Sequence, residues 1–445
     1  MKKVLLISYE FLRKENSGVS ARLLGLAKFL PEFGWDVVIL TAGKSSKPDS
    51  RFKVVETPYD DVVAKWKKLF GLKPDKGVKE QLGLPVYKNR NAIIDHIMNL
   101  WQTIFTYPDI AKGWYVYAVK AGDKLLREES FDAILSSSFP ATTHLIAKEL
   151  KKKRNVPWIA DLRDLWTQNN YHPYNTFRRC VERRLEIRTL SSADILTTIS
   201  NPLVEKLSEI HRKNKIVCIP EGFDPEQLSK TAQLADKFTI MHAGSLYKGK
   251  RDPEPLFKAT QELIIEKIID PEKITIDFYG SDEGWLGNII EKYGLQNIVK
   301  IKGAVPKEEV IKKERTSQLL LLLTWDNPDE KGVCPGKIFE YFATQRPIVS
   351  MGLSGGIVEE LLRKTNAGIH VSSKDGSEGI KSIIKKAYCE FKLTGKVTYH
   401  GIQSEIDKYS HREMAKKFAA LLDALIVGKK TLEETKMGRV DYNEK

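Results

Sequence analysis

Apolar residues in this chain come in short, nearly unbroken runs separated by longer stretches in which they recur at helical period. Runs of the first kind are KKVLLISYE, WDVVILTAG, RFKVVETP, FDAILSSS, VPWIADLRD, ADILTTIS and KIVCIPEG, and stretches such as ARLLGLAKFLPEF and ATTHLIAKELKKK fall between many of them. A strand covered on both faces reads as a continuous apolar run, whereas a helix lying on a sheet shows only a stripe. The alternation predicts a parallel sheet with helices on both faces, a Rossmann-like domain.

A second series begins near Phe238 with FTIMHAGSL, KITIDFYGS, NIVKIKGAV, QLLLLLTW, RPIVSMG and AGIHVS, after the polar segment DPEQLSKTAQLADK. The predicted fold class is therefore α/β, with two tandem doubly wound parallel-sheet domains over 1–228 and 237–405 and an insert around 60–115 in the first. Such sheets bind ligands outside the C-terminal ends of their strands, so a central cleft between facing strand ends is the expected site. Over 406–428 a C-terminal helix opens with a capping box, Ser410 and Glu413, and carries a stripe through Met414, Phe418, Leu421, Leu422 and Leu425. Residues 429–445 read as a frayed or disordered tail.

Composition fits this plan: 445 residues suit two cores, and 42% hydrophobic and 9% aromatic content place the chain among ordered globular proteins. MKKVLLISYEFLRKEN reaches charge too soon for a signal peptide, and no stretch approaches the roughly 20 apolar residues of a membrane span. Cys180, Cys218, Cys334 and Cys389 lie far apart without metal-type spacing, which fits a reducing cytoplasm. A net charge of +14 suits anionic partners. With no zinc-finger spacing, RNP-type motif or basic-region heptads, nucleic acid is not expected among them.

Candidate chemistry stands at strand-to-helix junctions. In ISYEFLRKENSGVSARLLGLA, Gly18 opens either an ordinary tight turn or a helix start that an anion can approach. AGSLYKGKRDPEPLFKA gathers Lys248, Lys250 and Arg251 before a helix start, as an exposed basic turn or a diphosphate site. In KGVCPGKIFEYFATQRPIV, Lys337 and Glu340 lie one turn apart on an opening helix. A simple ion pair there contributes only a few tenths of a kcal/mol. A carboxylate for ribose hydroxyls beside an ammonium for phosphate is the functional reading.

IADLRDLW, AGSLYKGKRDP and PGKIFEYFATQRPIV, supported by SGGIVEELL, EGFD and YPDIAKGW, occur in an order that resembles the GT-B glycosyltransferases of retaining family 4. Within it the likeness is to the bacterial and archaeal subgroup of polysaccharide and lipid-linked glycan assembly. The resemblance implies transfer of a sugar with retention from a nucleotide-diphosphate sugar, UDP favoured, to a glycan or polyprenyl-diphosphate-linked acceptor. No Asp-x-Asp pair stands at a strand end, so the cations are expected in place of a metal, and no cofactor is expected. Donor-binding residues would be Gly18, Gly244, Lys250, Arg251, Lys337 and Glu340, with Glu340 on the ribose and the cations on the diphosphate. Asp161, Arg163 and Asp164 would line the reaction centre on the acceptor side, unless DLRD is an internal salt bridge.

Three positions depart from the family pattern. Gly332 stands where many members have a first Glu, Ser245 where many have Arg, and Ser138 where some have His. Glu330, Asp326 and Asp164 are the candidates to touch the transferred sugar in place of that Glu. These departures keep open a catalytically inactive nucleotide-sugar or glycan-binding relative, beside a sugar-nucleotide epimerase of similar architecture. Finally, DDVVAKWKKLFGLKPDKG puts Val62, Trp66, Leu69 and Phe70 on one stripe flanked by Lys65 and Lys68. That pattern fits either peripheral docking on an anionic inner membrane face or packing against the domain's own core.

Overall fold

The computed structural model describes residues 1–11, 18–43, 49–69, 73, 106–170, 175–228, 232–247, 249–280 and 284–440, without the side chains of 18–20, 66, 69 and 428–440. Within them the chain forms two compact units, Met1–Ile219 with Ala415–Lys445 and Pro220–Met414.

The first unit holds a seven-stranded sheet in the order β3-β2-β1-β4-β5-β6-β7. Its strands are β1 (Lys2–Ile7), β2 (Trp35–Ala42), β3 (Lys53–Thr57), β4 (Ala133–Ser138), β5 (Trp158–Leu162), β6 (Ile195–Thr198) and β7 (Lys215–Cys218). All neighbours pair in parallel. The order reverses between β1 and β4, which makes the loops after these two strands the switch point of the unit.

The second unit holds a six-stranded parallel sheet in the order β10-β9-β8-β11-β12-β13. Its strands are β8 (Phe238–Ala243), β9 (Ile274–Tyr279), β10 (Val299–Gly303), β11 (Leu319–Leu323), β12 (Ile348–Gly352) and β13 (Gly368–Ser372). Here the switch point lies between β8 and β11. Each strand falls on an apolar run, and the central β11, LLLLL, is buried at every position.

The units divide at other places than the expected 228/237 and 405/406. Residues 220–228 and 406–414 go with the second unit because they are bonded within it. Phe223 N donates to Tyr409 O at 3.1 Å, His411 N donates to Phe223 O at 2.8 Å, and Arg315 Nη2 donates to Gln227 O at 2.9 Å.

The last helix, His411–Val440, begins as its capping box predicts, with Glu413 N donating to Ser410 Oγ at 3.2 Å. From Ala415 onward it belongs to the first unit. Phe418 and Leu422 are buried there, the Arg22 guanidinium lies 5.2 Å from the centre of the Phe418 ring, and Asp423 accepts from Trp35 Nε1 at 2.9 Å and from Lys2 Nζ. Residues 429–440, expected as a frayed tail, continue this helix, and 441–445 lie outside the described residues.

The motif YPDIAKGW has a local structural explanation. Asp109 accepts from Ala111 N at 2.9 Å, from Thr142 N at 2.8 Å and from Thr142 Oγ1 at 2.7 Å, so one half-buried carboxyl caps two helix starts. In the insert, Val62–Leu69 is helical and the exposed Lys65 pairs with Asp60 at 2.8 Å. The side chains of Trp66 and Leu69, and all of Phe70, lie outside the described residues.

Candidate functional site

Beyond β8 the chain turns sharply through Gly244, whose φ of +142° favours glycine. A Cβ on neighbouring Gly280 would come within 2.4 Å of the Gly244 carbonyl oxygen, so the two strand ends approach as only glycine allows. The loop then coils on itself: Tyr247 N donates to Ser245 Oγ at 3.2 Å, Lys250 N to Tyr247 O at 3.2 Å and Arg251 N to Leu246 O at 3.1 Å. The Arg251 guanidinium stacks 4.5 Å from the centre of the Tyr247 ring and donates through Nη1 to Ser245 O at 3.3 Å. Lys250 Nζ lies 3.9 Å from the centre of the Trp325 ring, in the loop after β11. A cation–π contact therefore joins the two loops that flank the switch point. Lys248 lies outside the described residues.

The loop after β11 leads to the helix Lys337–Thr344. Ile338, Phe339, Tyr341, Phe342 and Ala343 are buried, which turns Lys337 and Glu340 to the other face. Tyr341 fixes that orientation, accepting from Ala243 N at 3.2 Å and donating to Leu321 O at 3.3 Å, at the ends of β8 and β11. Lys337 Nζ bonds Glu340 Oε2 at 2.5 Å and Glu314 Oε1 at 3.2 Å, and Lys307 Nζ lies 3.2 Å from Glu340 Oε1. The i,i+3 pair is thus part of a four-membered network that includes two residues of the helix Lys307–Thr316.

Burial grades the network. Lys337 is 27% exposed and Glu340 23%, so both reach solvent, whereas Glu314 is 0% exposed. Burial opposes the Glu340 charge, but Lys337 and Lys307 outweigh it and hold the carboxyl below its ordinary value. Burial also opposes the Lys337 charge, and Glu314 and Glu340 more than offset it. For Glu314 burial prevails and pushes the carboxyl up to about 7.

Beneath the β8 loop lies His242, 2% exposed. Its Nδ1 faces Leu321 O at 3.0 Å and so carries the proton, which leaves Nε2 as a buried lone pair without a partner among the described residues. Burial pulls this imidazole down to about 4, with Arg251 and Lys337 acting the same way, so it is neutral at physiological pH and both cations stand within its reach.

In the first unit the predicted reaction-centre residues separate. Asp161 is fully buried and its oxygens are engaged by Arg22 Nε at 3.0 Å, Arg22 Nη2 at 3.0 Å, Thr197 Oγ1 at 2.8 Å and Ser137 Oγ at 2.9 Å. Burial opposes its charge, but Arg22 and then the two hydroxyls outweigh it and hold the carboxyl below its ordinary value. Asp161, expected at the reaction centre, is thus held within the core as the ion-pair partner of Arg22. Arg163 is half-buried and Asp164 exposed. They sit on a loop braced by Trp166 Nε1, which donates to Glu182 at 2.9 Å, and by Thr167, whose hydroxyl donates to Glu186. Gly18 is the first residue of the helix Gly18–Phe29 after β1, on the switch-point side of its sheet.

Of the candidates to replace the missing first Glu, Glu330 is 7% exposed and turned inward, while Asp326 is exposed. Lys307, Glu314 and His242 escaped the sequence reading. Lys307 and Glu314 lie in an ordinary charged helix, KEEVIKKERT, and His242 stands within an apolar run. Only the Gly two positions after His242 hinted that the imidazole sits at a strand end. Among the described residues no three His, Cys, Asp or Glu side chains gather as a metal-binding group, and no helix is long and apolar enough to cross a membrane.

Residues 17–222 match the family model described as a glycosyl transferase 4-like domain. No curated protein sequence matches the chain. Solved structures do. HepE of Anabaena in complex with UDP and glucose aligns with a TM-score of 0.59 at 13% identity, over 95% of this chain and 100% of its own. Sucrose-phosphate synthase from Thermosynechococcus elongatus aligns with a TM-score of 0.57 at 12% identity, over 99% and 100%. WaaG, a glycosyltransferase involved in lipopolysaccharide biosynthesis, gives 0.56 at 12%, over 94% and 99%. Residues 17–222 therefore resemble the glycosyl transferase 4-like domain, in a chain that has the GT-B fold.

Proposed function

We propose that this protein is a glycosyltransferase that moves a sugar from a nucleotide-diphosphate donor, UDP favoured, to a glycan or polyprenyl-diphosphate-linked acceptor with retention at the anomeric carbon. The observation that carries this reading is the switch point between β8 and β11. Lys250 and Arg251 on one flanking loop, and the partly exposed Lys337–Glu340 pair behind the other, meet where a doubly wound sheet takes its ligand. HepE, of like fold, is described in complex with UDP-glucose.

In this reading the Glu340 carboxylate accepts hydrogen bonds from the ribose hydroxyls, while Lys250, Arg251 and Lys337 face the diphosphate. As the bond from the sugar to the diphosphate breaks, negative charge grows on the leaving group, and cations already in place stabilise it without rearranging. We assign that role to these side chains rather than to a metal ion. The acceptor falls to the first unit, with Arg163 and Asp164 on its braced loop. A lipid-linked acceptor would bring the insert against an anionic membrane, which sedimentation with anionic and with neutral liposomes tests.

A screen of nucleotide sugars with glycan acceptors, read as nucleotide release, tests the reading. Release of nucleotide with transfer of the sugar, undiminished by EDTA, is the expected result. Binding without turnover would favour the inactive relative that Gly332 and Ser245 keep in view. Loss of donor binding on adding EDTA would overturn the cation assignment.

A further inference from the structure

Glu314 belongs to no motif and to no step above, yet it lies against the residues assigned to the donor. Its side chain is fully buried, Oε1 accepts from Lys337 Nζ at 3.2 Å, and Oε2 has no hydrogen-bond partner among the described residues. A buried carboxylate oxygen without a donor is costly, and a neutral carboxyl there costs less. The groups facing it are Lys307 on its own helix, Lys337, Glu340 and the Tyr341 hydroxyl on the next helix, and neutral His242 on β8 within reach of Lys337. With both carboxyls ionised, two ammonium and two carboxylate groups cancel, so the network as a whole offers a diphosphate no net positive charge. Burial is the main force raising the Glu314 carboxyl toward neutral pH.

We propose, resting on the donor reading above, that Glu314 is a positioning residue which takes up one proton as the donor's diphosphate binds, so that the charge of Lys337 is no longer shared with a second carboxylate. The proton comes from solvent and forms an O–H bond at Oε2, the oxygen without a partner, and no other bond changes. The gain is reciprocal: a bound anion favours the proton as much as the proton favours the anion.

Calorimetric titration with UDP-glucose tests this, because its diphosphate carries no group titrating near neutrality. At pH 7.5, in two buffers of different ionisation enthalpy, the wild type should show unequal binding enthalpies with the sign of proton uptake. Its affinity should rise as pH falls from 8.5 to 6.5, by at most about tenfold per pH unit for one coupled proton. Glu314→Gln should lose both the buffer dependence and the pH dependence while still binding UDP-glucose. Equal wild-type enthalpies in the two buffers overturn the proposal even if the variant fails to fold, and so does uptake that persists in Glu314→Gln. Binding that Glu340→Ala weakens but that carries no proton uptake overturns the Glu314 role and leaves the donor reading standing. Failure of the wild type to bind UDP-glucose at any pH removes both.

Discussion

Arg22 and Asp161 face each other through two hydrogen bonds of 3.0 Å, and neither side chain has any exposure to solvent. Arg22 Nη2 also donates to Ile219 O at 3.1 Å, so the pair ties the helix after β1 to the end of β5 and to the segment after β7. Removing one charge strands the other in the core. Asp161→Asn should therefore cost about 3–5 kcal/mol, measured by denaturant unfolding. Asp164→Asn, on the exposed side of the same motif, should stay within about 0.5 kcal/mol of wild type.

Glu340→Ala should weaken nucleotide affinity by roughly 1.5–3 kcal/mol, the usual worth of hydrogen bonds to a charged group. Lys337 keeps Glu314 as a partner in that variant, so the fold should hold. Calorimetry with UDP gives the answer: wild-type affinity in the variant would remove the ribose assignment.

If Lys250 and Arg251 face the diphosphate as proposed, Lys250→Ala and Arg251→Ala should lower kcat as well as donor affinity, because that charge grows in the transition state. Trp325→Ala should reproduce part of the Lys250→Ala loss, about 0.5–2 kcal/mol, since the ring holds the ammonium in place. In the double variant the two losses should not add. Additive losses in kcat/KM would show that the cation–π contact does not position Lys250.

The raised carboxyl of Glu314 also makes stability depend on pH. The unfolded chain releases this proton near its ordinary value of 4.5, while the folded protein holds it until about 7. Between those values the folded state binds more protons, so this group's contribution falls as pH rises through the window and is flat above it. Glu314→Gln, which mimics the neutral acid, should be more stable than wild type at pH 8.5, by on the order of 1–3 kcal/mol, and close to it at pH 5. Thermal unfolding at the two pH values decides. A variant destabilised equally at both would show that the ionised carboxylate is stabilising.

Much of this was legible in the chain itself. The central strands, from KKVLLI to IVSMG, announce themselves as apolar runs, since a strand covered on both faces has no solvent side to encode. The loops that carry Lys250, Arg251 and Lys337 follow from strand order once the helix starts are marked. The partners were not legible. Asp161 reads as a candidate for chemistry through the resemblance carried by IADLRDLW, whereas its partner, Arg22, comes from the distant helix after β1 and is revealed only by the pairing of β1 with β4 and of β4 with β5. Glu314 is likewise one charge among many in KEEVIKKERT until the helix is placed against Lys337–Thr344.

The first unit is closed by residues that follow the whole of the second, since Phe418 and Asp423 cover Arg22, Trp35 and Lys2. On the ribosome, at about 5–20 residues per second, the segment ending at Ile219 waits on the order of tens of seconds for that cover. During that interval the Trp35 indole and the Arg22 side chain lack their last neighbours, so nascent chains halted before Ala415 should be captured by chaperones or cleaved by proteases far more readily than the finished protein. A stop codon at position 415 would thus deplete the cell of this protein without touching any residue proposed to bind the donor.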